Sequence, residues 1–322
     1  MPGVVRAPLG RQFLCPVSVL SHTPLFQRVT VIGVGLIGGS LGWALRHYGV
    51  AGEVVGVELD SGTLERACQR GLIDRGVTDP AAAVAGADLV VLAVPVGSFD
   101  PVLAAIAPHL DPGVLVTDVG SVKAPAQAAA ERLLGATAVF IGGHPIAGTE
   151  DSGVEAALGD LFRGAPCVLA PTEASPAWAV DRLRAAWEAI GSEVVTMTPA
   201  EHDRVLAATS HLPHMLAYTL IQTFGALPER DRLEWFAAGG FRDLTRIAGS
   251  DAVMWRDIAL ANRDPLLAMI DDFEAQLGKL RSAIESGDGP ALEAFFREAR
   301  GLRRNLASRK APTEASDDRE RG

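Results

Sequence analysis

The chain has 322 residues, of which 48% are hydrophobic, and a formal net charge of −10 at pH 7. This length accommodates two domains, each with a core of its own. No apolar run approaches the ~20 residues that cross a bilayer. The negative charge argues against non-specific binding to nucleic acid or to anionic membranes, because both require a basic surface.

The three cysteines, Cys15, Cys68 and Cys167, are scattered along the chain and form no C-x-x-C motif. This usage is typical of a reducing compartment, so we expect a cytoplasmic protein with buried thiols. It indicates neither a metal site nor a disulfide framework.

The two ends of the chain fit no domain pattern. Residues 1–27 include a short apolar stretch at 13–20, but Pro16 interrupts it and no clear cleavage site follows, so we interpret 1–27 as a flexible extension and not as a signal peptide. Residues 308–322 are polar and charged, which predicts a disordered tail.

Between residues 28 and 198, short β-branched runs alternate with longer amphipathic ones. The predicted strands are 29–32, 54–57, 89–93, 114–117, 139–141, 167–170 and 193–197. The predicted helices include 40–48, 62–70, 101–108, 125–134 and 177–190. Unbroken apolar strands that alternate with helices predict an α/β domain with a mostly parallel sheet and helices on both faces.

The first strand runs into G-V-G-L-I-G at residues 33–38, a G-x-G-x-x-G motif followed by a helix. In that context Gly33 permits a tight turn, Gly35 lets the backbone approach a pyrophosphate, and Gly38 lets helix and strand pack closely. The N–H groups of Leu36 and Ile37 at the helix start would bind the phosphates. The motif predicts a Rossmann-type dinucleotide-binding domain over 28–198; a glycine-rich turn without a ligand is the alternative.

An acidic residue, Glu58, ends the second strand 25 positions after Gly33. A carboxylate there accepts hydrogen bonds from the adenine ribose and repels a 2′-phosphate, which favours NAD over NADP. Asp60 could share this role. Val94 and Pro95 follow the third predicted strand and are expected against the adenosine or its linker.

Two unusual segments follow neighbouring strands, where ligands of such sheets bind. They are D-V-G-S-V-K at 118–123 and G-G-H-P-I-A-G-T-E at 142–150. His144, held in a rigid turn, is a candidate acid–base group, and a core or capping histidine is the alternative. Ser121 could bind the substrate hydroxyl, cap the following helix, or do both.

From residue 199 to 307 the pattern is helical, which predicts an all-α second domain. In S-H-L-P-H at 210–214, His211 and His214 could share a helix face. No Glu or Cys completes a coordination set at helical spacing, so we predict no metal site. Arg242, Arg246 and Arg256 supply local positive charge, with a solvated surface position as the alternative for each. The segment 251–285 is predicted to be a nearly continuous helix with an apolar stripe.

These segments, together with G-G-F-R-D-L-T-R-I-A-G-S-D-A-V-M-W at 239–255, resemble the prephenate/arogenate dehydrogenase family in sequence and order, over roughly residues 28–307. The resemblance implies NAD-dependent oxidative decarboxylation of prephenate to 4-hydroxyphenylpyruvate in tyrosine biosynthesis. The oxidised ring is its own electron sink, so the reaction needs no metal.

The resemblance also implies roles for individual residues. His144 would accept the proton of the substrate hydroxyl, and Ser121 would orient that hydroxyl. Arg246 would hold a substrate carboxylate, with His214 and Ser210 close to the substrate. Arg242 stands where the family often has Lys, so a bidentate contact would replace a point charge there. The long C-terminal helices would form a homodimer.

Three alternatives remain open. Arogenate carries an amine in place of the keto group, and His214 with its two neighbouring arginines favours the keto acid, because an ammonium group favours an acidic neighbour. A β-hydroxyacid dehydrogenase relies on a Lys in the central helix, where this chain has S-H-L-P-H. A non-catalytic NAD-sensing protein would leave Ser121, His144 and Arg246 together unexplained.

Overall fold

The computed structural model describes residues 23–149, 151–228 and 234–308. Most of the predicted extension, nearly all of the predicted tail, and Cys15 lie outside these residues. The described chain contains one eight-stranded sheet in the order β3-β2-β1-β4-β5-β6-β7-β8. All neighbouring strands are parallel except β6 and β7, which are antiparallel. The strands are β1 Phe26–Ile32, β2 Ala51–Val57, β3 Arg75–Val77, β4 Leu89–Leu92, β5 Val114–Asp118, β6 Ala138–Pro145, β7 Pro166–Ala170 and β8 Glu193–Thr196.

The predicted mostly parallel sheet is confirmed, with two differences in detail. The edge strand β3 was not predicted, because its three residues contain no apolar run. The first strand begins at Phe26, whose side chain is fully buried and whose N–H donates to the Val50 carbonyl at 3.1 Å. Phe26 and Gln27 therefore belong to the sheet and not to the extension.

Helices cover both faces of the sheet. They are α1 Leu36–His47, α2 Ser61–Gln69, α3 Pro80–Ala83, α4 Phe99–Ile106, α5 Ala124–Leu134 and α6 Ala177–Ala189. Leu45 of α1 and Leu183 of α6 pack in one core with Val31, and Leu103 of α4 packs in the other core with Val90. Strand β4 is buried at all four positions and consists only of apolar residues, as expected of a strand covered on both faces.

The rest of the described chain is helical. Its elements are α7 Pro199–Leu206, a π-helical segment Ala207–His211, α8 Leu212–Gly225, α9 Gly239–Thr245, α10 Ala252–Ala261, α11 Arg263–Glu285 and α12 Gly289–Ser308. Within the described ranges, none of the helices has the length and apolarity needed to span a membrane.

The nearly continuous helix predicted over 251–285 is present as Ala252–Ala261 and Arg263–Glu285, with one interruption. The helix is interrupted at Asn262, which has φ −102° and ψ 33° and separates α10 from α11. The buried Asn262 side chain donates to the Asp203 carbonyl at 2.9 Å and lies 2.8 Å from Nδ1 of His211. The apolar periodicity on either side of Asn262 concealed a break that polar contacts from α7 and the π-helical segment stabilise.

Candidate active site

A cleft of about 420 Å³ opens at the carboxyl ends of the central strands. Both parts of the chain line it, the sheet domain with its loops and the helical part with the start of α10. The residues of its wall that matter below are Gly35, Leu36, Ile37, Val94, Pro95, Ser121, His144, Asp151, Ser250, Asp251, Met254 and Ile258. Ser121 and His144, predicted from separate segments, therefore lie in one cavity with the start of α1.

The glycine turn has the shape that a dinucleotide requires. Gly33 has φ +96°, and a Cβ there would lie 2.5 Å from the Ala93 carbonyl oxygen. A Cβ on Gly38 would lie 1.9 Å from the Gly33 carbonyl oxygen, so only glycine lets α1 pack this closely on the turn. Apart from its chain neighbours and its own helix, none of the described residues has an atom within 4 Å of the Cβ position of Gly35, which leaves open space for a pyrophosphate beside the helix start.

Glu58 follows β2 beside this turn. Its carboxylate accepts hydrogen bonds from the N–H of Val34 at 3.4 Å and from the N–H of Leu59 at 2.9 Å. Asp60, the other acid considered, caps α2 by accepting from the side chain and N–H of Thr63, which lowers the pKa of Asp60. Glu58 is therefore the acid placed at the glycine turn, while Asp60 is committed to a helix end.

A fully buried ion pair between Asp118 and Lys123 supports the catalytic side of the cleft. Lys123 Nζ also donates to the Gly143 carbonyl at 2.7 Å, and the Asp118 carboxylate accepts from the N–H of Gly143 at 3.1 Å. Burial raises the pKa of Asp118 and lowers the pKa of Lys123, against their mutual attraction. The pair joins the end of β5, beside Ser121, to the strand that carries His144.

His144 lies near the end of β6, partly exposed to the cleft. Burial lowers the pKa of His144 well below its ordinary value, and the positive charge of Lys123 lowers it further, with smaller contributions from His202 and His211. At neutral pH its imidazole is uncharged and can accept a proton.

The capping role considered for Ser121 is wrong. Helix α5 begins at Ala124 without a side-chain cap from its own sequence. The carboxylate of Asp203, from α7, accepts the N–H groups of Lys123 at 2.7 Å and Ala124 at 2.8 Å instead. This leaves the Ser121 hydroxyl available to the cleft.

Two neighbours of His144 were missed from the sequence. His144 Nδ1 lies 2.8 Å from His202 Nε2, and His202 Nδ1 lies 2.8 Å from Asp203 Oδ1. Both His202 and Asp203 are buried on the inner face of α7 beside Leu206. Polar residues at core positions of an amphipathic helix are the sequence signal that could have identified them.

The predicted substrate residues of the helical part do not line the cleft. His214 stacks on Trp255 at 3.6 Å between ring centroids, and its Nδ1 lies 2.8 Å from the Ser210 carbonyl. Burial lowers the pKa of His214, the Ser210 carbonyl opposes this, and the charge of Arg246 adds to the lowering. Arg242, on α9, and Arg246, just after it, are exposed.

Trp255 connects this group to the cleft wall. Its side chain packs with Val122, next to Ser121, and with Ile258, which lines the cleft. Arg256, the third arginine considered, pairs with Asp257. In the described part of the chain, no cluster of three or more His, Cys, Asp or Glu side chains has an arrangement suited to a metal ion.

A dinucleotide-binding sheet whose cleft also holds a neutral histidine and a serine defines a nicotinamide-dependent dehydrogenase with a helical second domain. Residues 41–196 match the prephenate dehydrogenase nucleotide-binding domain, and residues 198–298 match the prephenate dehydrogenase dimerization domain. The chain belongs to the prephenate dehydrogenase family of oxidoreductases, as the sequence resemblance predicted.

Curated and structural relatives agree with this assignment. The chain is 38% identical to a cyclohexadienyl dehydrogenase of Zymomonas mobilis over 87% of this chain and 96% of the relative. It is 36% identical to a prephenate dehydrogenase of Aquifex aeolicus solved with hydroxyphenyl propionate and NAD+, with a TM-score of 0.81 over 87% of this chain and 98% of that one. It is 34% identical to the Synechocystis arogenate dehydrogenase, with a TM-score of 0.75 over 87% of this chain and all of that one.

Proposed function

We propose that this protein catalyses the NAD-dependent oxidative decarboxylation of prephenate to 4-hydroxyphenylpyruvate, a step of tyrosine biosynthesis. The observation that carries the proposal is the presence of Ser121 and His144 in one cleft with the open helix start at Gly35. Residues of a hydroxyl-binding and proton-accepting type thus lie beside a dinucleotide cradle.

The cofactor proposed for the cradle is NAD. Gly35, Leu36 and Ile37 would hold its pyrophosphate at the start of α1, Val94 and Pro95 would contact its adenosine side, and Glu58 would bind the ribose and disfavour a 2′-phosphate. When bound, NAD supplies an acceptor for the hydride that leaves the ring carbinol carbon.

The protein itself supplies a proton acceptor and orientation. Ser121 positions the substrate hydroxyl, and neutral His144 accepts its proton as hydride leaves, a contribution typically worth about 10²–10⁴ in rate. The oxidised ring then loses CO₂ and becomes aromatic. The lowered pKa of His144 keeps the imidazole in the accepting form at neutral pH.

The substrate carboxylates need cations, which residues of the helical part would supply. Arg246 would hold one carboxylate through paired hydrogen bonds, helped by Arg242, while His214 and Ser210 contribute to the same side. His214 stacks on Trp255, which packs against Val122 beside Ser121, so this group adjoins the cleft although it does not line it.

Homodimerisation through the C-terminal helices is part of the proposal. The dimerization-domain match covers most of this region. Helices α11 and α12 expose large apolar side chains that a second copy would cover, namely Leu277, Ile284, Phe296, Leu302 and Leu306. The cytoplasm is the proposed location, supported by the free thiols Cys68 and Cys167.

Arogenate is the second candidate substrate. The cleft wall contains two acidic side chains, Asp151 and Asp251, in addition to the positive charges near His214. An ammonium group favours such neighbours, so the charges of the site support either substrate. A relative is itself named an arogenate dehydrogenase.

The test is NADH formation by the purified protein with NAD and either prephenate or arogenate in parallel, with His144→Asn as the matched inactive variant. Turnover of prephenate that His144→Asn abolishes while cofactor binding survives supports the proposal. Turnover of arogenate alone would replace the substrate and keep the mechanism. NAD binding without turnover of either compound would overturn the proposal in favour of a sensing protein.

A further inference from the structure

A series of two hydrogen bonds, one partly buried and one buried, leads from the proposed proton acceptor into the helical part of the protein. His144 on β6 contacts His202 on α7, and His202 contacts Asp203, its neighbour in sequence. His202 is fully buried and Asp203 nearly so. Neither residue lines the cleft, so neither is expected to touch the substrate.

The direction of each hydrogen bond in this series follows from Asp203. The Asp203 carboxylate already accepts the N–H groups of Lys123 and Ala124, and an ionised carboxylate can only accept. His202 Nδ1 must therefore carry the hydrogen toward Asp203. In neutral His202 the other nitrogen, Nε2, is then the acceptor.

The same logic fixes the tautomer of His144. Because His202 Nε2 accepts, His144 Nδ1 must donate, which leaves His144 Nε2 as the lone-pair nitrogen of that ring. A histidine that takes a proton from a substrate hydroxyl needs such a nitrogen free. The arrangement holds His144 in its accepting form before any substrate binds.

The charges around the two rings differ. Burial disfavours the charged form of His144, and the positive charge of Lys123 disfavours it further. His202 has a carboxylate at hydrogen-bond distance instead. A positive charge on the His202 ring would lie beside a carboxylate, whereas a positive charge on the His144 ring would lie near Lys123.

We propose that His202 and Asp203 are positioning residues that fix the tautomer of His144 and share the proton it receives. As the hydroxyl proton bonds to His144 Nε2, the hydrogen on His144 Nδ1 moves to His202 Nε2. His144 is left neutral and His202 becomes an imidazolium beside the Asp203 carboxylate. The number of protons is unchanged, and the hydride leaves separately to NAD. This inference rests on the proposed function of the cleft.

Asp203→Asn tests the negative charge beside His202. Oδ1 of Asp203 accepts from both His202 and the N–H of Lys123, and Oδ2 accepts from the N–H of Ala124. An asparagine oxygen at the Oδ1 position keeps the first two bonds, and its amide nitrogen faces the N–H of Ala124. The carboxylate charge that would stabilise a His202 imidazolium is lost. We expect the single-turnover rate of NADH formation to fall by about 10²–10⁴, with KM and the affinity for NAD changed less than about threefold. A native rate in a folded Asp203→Asn protein would overturn the proposal.

His202→Gln tests proton sharing separately and does not depend on the folding of Asp203→Asn. Glutamine can accept the hydrogen bond from His144 Nδ1 but cannot hold the proton. We expect a slower single turnover and a change from a curved to a linear dependence of its rate on the D₂O fraction. An unchanged curved dependence would contradict the shared proton, because a structural role alone would not set the number of protons in flight.

Glu201→Gln is the matched control, since Glu201 is an exposed residue on the same turn of α7 and should leave the rate unchanged. The native protein and His144→Asn separate the two levels of the proposal. If the native protein oxidises neither substrate, the proposed function fails. If the native protein is active, His144→Asn is inactive and Asp203→Asn is fully active, only the roles proposed for His202 and Asp203 fail.

Discussion

Gly38 lies so close to Gly33 that a Cβ on Gly38 would approach the Gly33 carbonyl oxygen to 1.9 Å. The obstacle is backbone and cannot rotate away, so Gly38→Ala should separate α1 from the turn. We expect a loss of about 1–3 kcal/mol or more in the free energy of unfolding, together with loss of NAD binding. Chemical denaturation and cofactor titration would measure the two effects.

Gly35→Ala is the matched control for that prediction. Gly35 has φ −82°, which alanine adopts, and its Cβ position is open. This variant should keep its stability within about 0.5 kcal/mol and lose NAD affinity, because the methyl group fills the space that a pyrophosphate needs. Equal stability losses in both variants would show that the two glycines do not have separate roles.

The Asp118–Lys123 pair allows a prediction about stability. Lys123→Met leaves an unpaired carboxylate in the core and should lower the free energy of unfolding by about 3–5 kcal/mol. The double variant Asp118→Leu/Lys123→Met removes both charges and should recover part of that loss. Urea denaturation of the two variants measures the difference, and a double variant less stable than Lys123→Met would contradict the argument.

Cofactor selectivity should depend on Glu58. Glu58→Gln removes the negative charge beside the glycine turn, so kcat/KM with NADP should rise relative to kcat/KM with NAD. Asp60→Asn is the control, since asparagine still caps α2 while the same charge is lost two residues away. Steady-state rates with both cofactors decide the matter, and an equal shift in the two variants would point to general electrostatics.

Stability should fall in mild acid. Burial lowers the pKa of His211 to about 4, and burial also lowers the pKa of His144 and His214. The unfolded chain binds these protons near pH 6.5 while the folded chain resists them. The contribution is therefore complete above pH 6.5 and is lost as pH falls toward 4, by at most about 1.4 kcal/mol per pH unit for each group.

Urea midpoints between pH 7.5 and pH 5 measure this effect. His211→Asn should flatten the dependence, whereas His109→Asn, which removes a histidine at the surface, should not. A native midpoint that stays constant over this range would show that the buried histidines do not resist protonation.

The sequence was sufficient for seven of the eight strands, because a doubly covered parallel sheet favours apolar strands and a dinucleotide site requires glycines at fixed spacing. The spacing of Gly33, Gly35 and Gly38 predicted the tight turn at the start of α1. Ser121 and His144 were predicted as site residues because each follows or ends a strand. None of this required knowledge of a distant contact.

The failures involve contacts across the chain. Asp203 caps α5 from about 80 residues away, so local rules assigned the cap to Ser121. Asn262 interrupts a helix because of bonds to Asp203 and His211, which apolar periodicity cannot reveal. His202 was missed for the same reason, since its partner His144 lies on a strand of the other domain.

The Asp203 carboxylate thus takes part in two contacts with different consequences. Asp203 docks the helical part onto the sheet domain by capping α5, and it also sets the hydrogen on the ring next to the cleft. Separation of the two parts would therefore remove the contact that fixes the tautomer of the proposed base, His144. The contact couples assembly to catalysis, because loss of domain docking would lower the rate of oxidation, so activity should serve as a sensitive reporter of domain assembly.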